Sequence, residues 1–180
     1  MGWPERHRGG DGSLTIQIRF AREDDLPRLP VIEQSAAQAF RALEVPYFEL
    51  ISQLGPVDTW RPALEAGTLW VADDGDGPVG FLAATREGDR LHIDEFDVMQ
   101  DQQGRGLGRR MMGAVIAWAR REGVARLTLT TFSNIAWNAP FYTSFGFRPL
   151  GDDMPEDLRA ILAREAARGL PDRVAMELAL

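Results

Sequence analysis

Cysteine is absent from this 180-residue chain, which excludes disulfides, a thiolate metal site and a cysteine nucleophile. Histidine is nearly absent, with only His7 and His92. A histidine metal cluster therefore has no ligands to draw on, and no metal site is assigned. A Ser-His-Asp triad could use only His92, and no Gly-x-Ser-x-Gly elbow accompanies it. Long apolar runs are missing too: none approaches the roughly 20 residues that span a bilayer. Met1 to Gly12 lacks the apolar core of a signal peptide. The expectation is a cytoplasmic protein with no membrane partner. Excess positive charge is also lacking. A net charge of -7 argues against nucleic acid as a partner, because a phosphate backbone is held by summed positive charge.

With 44% hydrophobic residues, the length suits one well-cored domain and is short for two of ordinary size. Met1 to Ser13 reads as a disordered leader and residues 14–180 as a single domain. Leu14 to Phe20 alternates as a half-buried strand does. A helix follows from Ala21, with acids in its first turn and an apolar face of Leu26, Leu29, Ile32, Ala36 and Phe40. After a turn near Val45 and Pro46, Trp60 to Ala66 reads as a second helix. Thr68 to Ala72 and Val79 to Thr85 form a predicted hairpin, and a turn at Gly88 leads to the strand Leu91 to Val98. The uneven spacing of Ile93, Phe96 and Val98 predicts a β-bulge near Asp94 and Glu95. Gly106 to Glu122 is a predicted amphipathic helix with Leu107, Met111, Val115, Trp118 and Ala119 facing the core. Gly113 in its interior costs about 1 kcal/mol relative to Ala and predicts close packing on the sheet. Arg126 to Thr131 reads as a strand joined by a right-handed parallel crossover. Pro140 opens a short helix; Phe147 to Leu150 is a strand, Pro155 to Arg168 a helix and Arg173 to Leu180 a closing strand.

The segment Gln103-Gly104-Arg105-Gly106-Leu107-Gly108-Arg109-Arg110 stands between strand and helix. Alternate glycines let the backbone approach an anion, and the amides that open a helix have no partner within it. Arg105, Arg109 and Arg110 form a basic patch in an acidic protein, which suits a polyanionic cofactor. A Walker A loop needs Lys-Ser or Lys-Thr, and neither pair occurs. The dinucleotide fingerprint needs Gly or Ala where Met111 stands. What remains is Gln-x-x-Gly-x-Gly at Gln103, Gly106 and Gly108, which resembles the acetyl-CoA loop of the GNAT superfamily of N-acetyltransferases. Downstream, Trp137-Asn-Ala-Pro-Phe-Tyr-Thr-Ser-Phe-Gly-Phe147 resembles that family's second signature, an aromatic-Tyr pair on a short helix ending in Gly-Phe.

The resemblance covers nearly all of the chain. It implies an α/β (α+β) fold: a mixed, mostly antiparallel sheet flanked by helices, with a V-shaped splay between the fourth and fifth strands. It implies an acetyl-CoA-dependent transferase acting on a primary amine. Backbone amides of Gln103, Gly104, Arg105, Gly106, Leu107, Gly108 and Arg109 would hold the pyrophosphate. Backbone groups of Phe96, Asp97 and Val98 would run beside the pantetheine, with an amide near Val98 polarising the thioester carbonyl. Asn138 and Asn134 could contact the cofactor through their side-chain amides. The commoner arrangement has an asparagine seven residues before the tyrosine; Asn134 is eight before and Asn138 four before. Tyr142 matches the general acid toward the CoA sulfur.

An alkyl ammonium of pKa about 10 must lose a proton before it attacks. Glu95 matches the family's glutamate base. Asp94 and Asp97 are rivals whose side chains should point differently, and His92 has the most suitable ordinary pKa, although a strand histidine with satisfied hydrogen bonds is its plainer reading. Glu95 as a merely salt-bridged or exposed carboxylate also stays open. The lack of cysteine favours direct transfer in a ternary complex. Glu33, Phe40, Tyr47, Phe48 and Trp60 are candidate acceptor determinants, although at least half of the aromatics are expected to be core, and an acidic cleft favours a cationic amine, small molecule or peptide. The helix between the last two strands, where many members have a plain hairpin, lies beside the expected acceptor cleft. A homodimer is compatible with the sequence. The alternative function is a catalytically silent acyl-CoA-binding module; a pure binder has no need of Tyr142.

Overall fold

The computed structural model describes residues 16–180. The expected leader, together with Leu14 and Thr15 of the first expected strand, lies outside the described residues. Seven strands form one sheet: β1 (Gln17–Phe20), β2 (Leu69–Asp73), β3 (Pro78–Glu87), β4 (Arg90–Val98), β5 (Arg126–Phe132), β6 (Arg148–Pro149) and β7 (Arg173–Ala179). Their spatial order is β1-β2-β3-β4-β5-β7-β6. Every neighbouring pair is antiparallel except β4 and β5, which are parallel.

Alternation along β2 explains the two layers. Leu69 and Val71 face a cluster with Leu26, Leu29, Ile32 and Phe81. Trp70 and Ala72 face the opposite cluster with Leu82, Met111, Val115 and Leu127. A central strand covered on both sides needs apolar residues at successive positions, as β2 and β3 have. The first layer is covered by α1 (Leu29–Ala37), which is flanked by 3₁₀ turns at Glu23–Arg28 and Gln38–Leu43 rather than forming one continuous helix. Pro27 and Pro30 limit regular helix there. Two further short helices precede β2: α2 (Phe48–Ile51), which the sequence did not reveal, and α3 (Arg61–Glu65).

The second layer is covered by α4 (Leu107–Arg121), whose buried face is Leu107, Met111, Met112, Val115, Ile116 and Ala119. Trp118 is half-buried against that cluster. The expected role of Gly113 is corrected: it is exposed, and a Cβ there would meet nothing within 4 Å. The close approach of α4 is instead at Gly80 on β3, where a Cβ would stand 3.2 Å from the Met111 sulfur and 3.1 Å from the Asp97 carbonyl oxygen. Two more helices complete the chain, α5 (Asn138–Thr143) and α6 (Glu156–Ala167).

The bulge in β4 positions the site. Ala84 pairs with Ile93 and Ala83 with Glu95, leaving Asp94 as the extra residue. In an unbroken strand Ile93 and Glu95 would share a face. The inserted Asp94 keeps Ile93 on the α4 face and turns Glu95 toward α1. Parallel pairing with β5 runs from Arg90–Arg126 to Ile93–Leu129 and stops at the bulge. Beyond it β4 stays with β3 while β5 stays with β7 as far as Phe132. The two central strands therefore diverge into a V.

Candidate active site

The opening between β4 and β5 is a cleft of about 1000 Å³. At one end lies the glycine-rich loop. Gly104 and Gly106 have φ of +73° and +78°, a left-handed conformation that glycine adopts without steric cost. Gly106 caps α4 without a side-chain hydrogen bond, so the first amides of the helix stay available to an anion at its positive end. Gln103 Nε2 donates to the Val98 carbonyl oxygen at 2.9 Å and ties the loop to the end of β4. Gly108 lies against the Phe96 and Phe141 rings, where a Cβ would stand at ordinary contact distance, 3.6 Å from each. Arg109 donates to Ser144 Oγ at 3.2 Å and lies over the Phe145 ring, joining α4 to α5.

The loop and the aromatic helix that follows β5 are thus brought to one cleft. A family model for the Acetyltransferase (GNAT) family matches residues 37–147, more than half of the chain. The chain belongs to the GNAT acetyltransferase family. Solved structures of the same fold include PaiA N-acetyltransferase from Thermoplasma acidophilum in complex with coenzyme A, with TM-score 0.73, 12% identity, and coverage of 92% of this chain and 99% of that one. The ribosomal-protein-S18-alanine N-acetyltransferase from Escherichia coli aligns with TM-score 0.64 and 20% identity, covering 92% and 94% of the two chains. N-acetylglutamate synthase from Neisseria gonorrhoeae, complexed with coenzyme A and N-acetyl-glutamate, gives 0.68 and 16%, over 92% of this chain and 35% of that one. At these identities the solved structures establish the fold.

Acetyl-CoA is the family's acyl donor, and the acetyltransferase loop fits it: two left-handed glycines, uncapped helix amides and an adjacent edge of β4 that β5 leaves unpaired. Gln103, Gly104, Gly106, Leu107, Gly108 and Arg109 all line the cleft, as do Phe96, Asp97, Val98 and Asn138. The Leu107 side chain is buried in the core. Arg105 is in the loop, but its exposed side chain donates to Gln102 Oε1. Asn134 does not line the cleft; its Nδ2 donates to Asp172 Oδ2 at 2.9 Å.

Glu95 and Tyr142 face the same cleft from β4 and α5. Burial, reinforced by the Glu33 charge, pushes the Glu95 carboxyl up to about 7, although the Phe96 amide and Arg173 oppose the shift. Asp97 is raised well above its ordinary value by burial and then by Glu95 and Glu33. Both residues are only half-buried by surface exposure; protein surrounds them on a cleft floor that water still reaches. The Tyr142 phenol is pushed well up by burial and then by Glu95 and Asp97, so it stays protonated. Its ring is fixed edge-on by Phe141 and Phe147, at centroid distances of 5.2 and 5.9 Å. The other titratable candidates are differently engaged. His92 is buried, with Nδ1 3.0 Å from Thr128 Oγ1, and burial lowers its pKa. Asp94 accepts from Thr85 Oγ1 at 2.7 Å.

At the opposite end Glu33 accepts a short hydrogen bond from Trp60 Nε1. Phe40, Glu33 and Trp60 line the cleft. Tyr47 is instead buried, stacked on Phe132 at 4.9 Å, and Phe48 lies under Arg41. The helix α6 does border the cleft: Glu165 accepts from Thr130 Oγ1 at 2.7 Å and from Arg173 Nη2 at 2.8 Å, while Arg173 covers the Phe132 ring. Sequence reasoning missed this clamp and the pairing of Glu33 with Trp60, which join distant segments without a motif. That Asp97 shares the face of Glu95 follows from strand alternation beyond the bulge.

Proposed function

We propose that the chain is an N-acetyltransferase that moves an acetyl group from acetyl-CoA to a primary amine within a ternary complex. The observation that carries this reading is the presence of Glu95 and Tyr142 in one cleft whose far end is the glycine loop. Acetyl-CoA supplies a thioester; the amine nitrogen bonds to its carbonyl carbon as the C–S bond breaks.

The chain's own groups account for the protons. Glu95, with a carboxyl near 7, is balanced between the states needed to take a proton from the incoming ammonium at neutral pH and to release it afterwards. Tyr142, held protonated, donates toward the departing sulfur. Its raised pKa makes it a persistent hydrogen-bond donor to a thiolate. Amides at the splayed end of β4 would polarise the carbonyl without reorganisation. Asp97, whose neighbours disfavour ionisation, is the weaker candidate for base.

The test is a panel of primary amines incubated with the protein and acetyl-CoA, read by CoA release and by the mass of the acetylated product. The chain contains no lysine, all 20 basic residues being arginine, so self-acetylation of lysine contributes no background. Amine-dependent CoA release with a matching product is expected. Tight acetyl-CoA binding with no turnover of any amine would leave the silent binding module as the function.

A further inference from the structure

We propose that Glu33 is a specificity-determining residue that selects cationic acceptors and rejects amines carrying a carboxylate beside the reacting nitrogen. The inference rests on the amine-acetylation reading and names its substrate class.

Glu33 stands on α1, facing the part of the cleft that Glu95 and Asp97 face from β4. Its Oε1 is held by the Trp60 indole N–H, and Trp60 packs on Phe81 with ring centroids 5.8 Å apart. Its orientation is therefore fixed from the core side. Among the described residues no hydrogen bond or ion pair reaches Oε2, and Gly55 keeps the space beside it open: a Cβ there would lie 3.6 Å away. The cation acting on Glu95 is Arg173, which is already clamped to Glu165 and Thr130. The floor thus carries carboxylates short of counter-charge, and burial raises the pKa of Glu33 as well.

A desolvated carboxylate is stabilised by an arriving ammonium. A carboxylate on the acceptor would instead meet the charge of Glu33, and that of Glu95 when ionised, with no free cation beside it, and like-charge juxtaposition is an effective means of rejection. Phe40 and Leu54 in the same cleft leave apolar surface for the body of the acceptor.

The experiment compares a free amino acid with its carboxamide, which match in shape and differ in charge, as acceptors for the parent and for Glu33→Gln. The parent should favour the carboxamide, and the variant should reduce the ratio of the two kcat/KM values by roughly 3-fold or more. Differences in the acceptors' own amine pKa values cancel in that change. The loss should lie in KM for the carboxamide, with acetyl-CoA affinity unaltered. The charged or titratable groups acting on or facing Glu95 are Glu33 from α1, Asp94 and Asp97 from β4, Arg173 from β7 and Tyr142 from α5. Removing the Glu33 charge should therefore also move the acid limb of the pH profile downward, which a purely structural role would not do. Trp60→Phe, which keeps a ring but frees Glu33, should shift the acceptor ratio in the same direction by less, and it decides the matter if Glu33→Gln does not fold. An unchanged ratio in a folded variant, or a parental preference for the free acid, overturns the assignment of Glu33. Failure to acetylate either acceptor, with acetyl-CoA still bound, overturns the amine-acetylation reading and this inference with it.

Discussion

At the end of the cleft proposed to hold the donor, the protein presents backbone: the amides of Gly106 to Arg109, two left-handed glycines and the edge of β4 that β5 leaves unpaired. At the end proposed for the acceptor it presents side chains drawn from scattered elements, with Glu33 from α1, Trp60 from the 3₁₀ turn before α3, Glu95 and Asp97 from β4 and Glu165 from α6. The difference teaches what each end recognises. A pyrophosphate is invariant among CoA thioesters and is served by a contiguous cradle with fixed geometry. On the proposed reading an amine acceptor would be read through charges and surfaces that can change one residue at a time without disturbing the cradle.

The sharpest way to break this contrast is Gly106→Asp. A left-handed aspartate costs about 1 to 2 kcal/mol of backbone strain, which leaves a folded protein, and it puts a negative charge in the cradle. Acetyl-CoA affinity should fall by about 100-fold or more, and the rise in Tm on adding acetyl-CoA should disappear. Parental binding by calorimetry would mean that the loop is not the anion site.

Tyr142→Phe acts between the two ends. It should lower kcat by about 100-fold while acetyl-CoA affinity stays within about 2-fold, because the ring and its Phe141 and Phe147 contacts remain. Equal turnover in single-turnover measurements, where chemistry is observed directly, would take Tyr142 out of the reaction.

How far the sequence could be read follows the same division. Gln103, Gly106, Gly108 and Tyr142 lie in short runs whose spacing specifies their placement, and the three-then-two spacing of Ile93, Phe96 and Val98 located the bulge that turns Glu95 toward α1. The acceptor end was legible only as candidate residues. Pairing Glu33 with Trp60 spans 27 positions across irregular turns, and the Glu165–Arg173–Thr130 clamp depends on where α6 docks; neither leaves a periodic trace. Tyr47, open in sequence between cleft and core, is core, because the turn before α2 stacks it flat on Phe132. For Gly113 the helical spacing, which places it opposite Met111 and Val115, pointed to solvent, and only the cost of an interior glycine suggested packing.

The acidic floor also carries a stability signature. The Glu95 carboxyl is held above its ordinary value, up to about 7. Between the ordinary carboxylate range and about 7 the folded protein binds more protons than the unfolded chain, so this group's contribution to stability falls as pH rises through that window. Glu95→Gln should therefore raise stability at pH 8 by on the order of 1 to 3 kcal/mol and have little effect near pH 4. Tm measured across that range in parent and variant checks the sign. The smallest expected effect is outside the cleft: Gly113→Ala should stabilise α4 by about 0.5 to 1 kcal/mol with activity unchanged, read from the urea midpoint. A loss of stability there would show that Gly113 has a packing partner.

The central claim is that the side-chain end of the cleft performs the proton transfer while the backbone end holds the cofactor. The pH dependence of kcat/KM in the parent and in Glu95→Gln tests it most directly, with acetyl-CoA binding measured alongside. The account predicts an acid limb near pH 7 in the parent, a loss of about 10² to 10⁴-fold in the variant at neutral pH with that limb abolished, and unchanged acetyl-CoA affinity. A parental rate and profile in Glu95→Gln would contradict the account and leave Glu95 a structural carboxylate whose raised pKa reports only its burial.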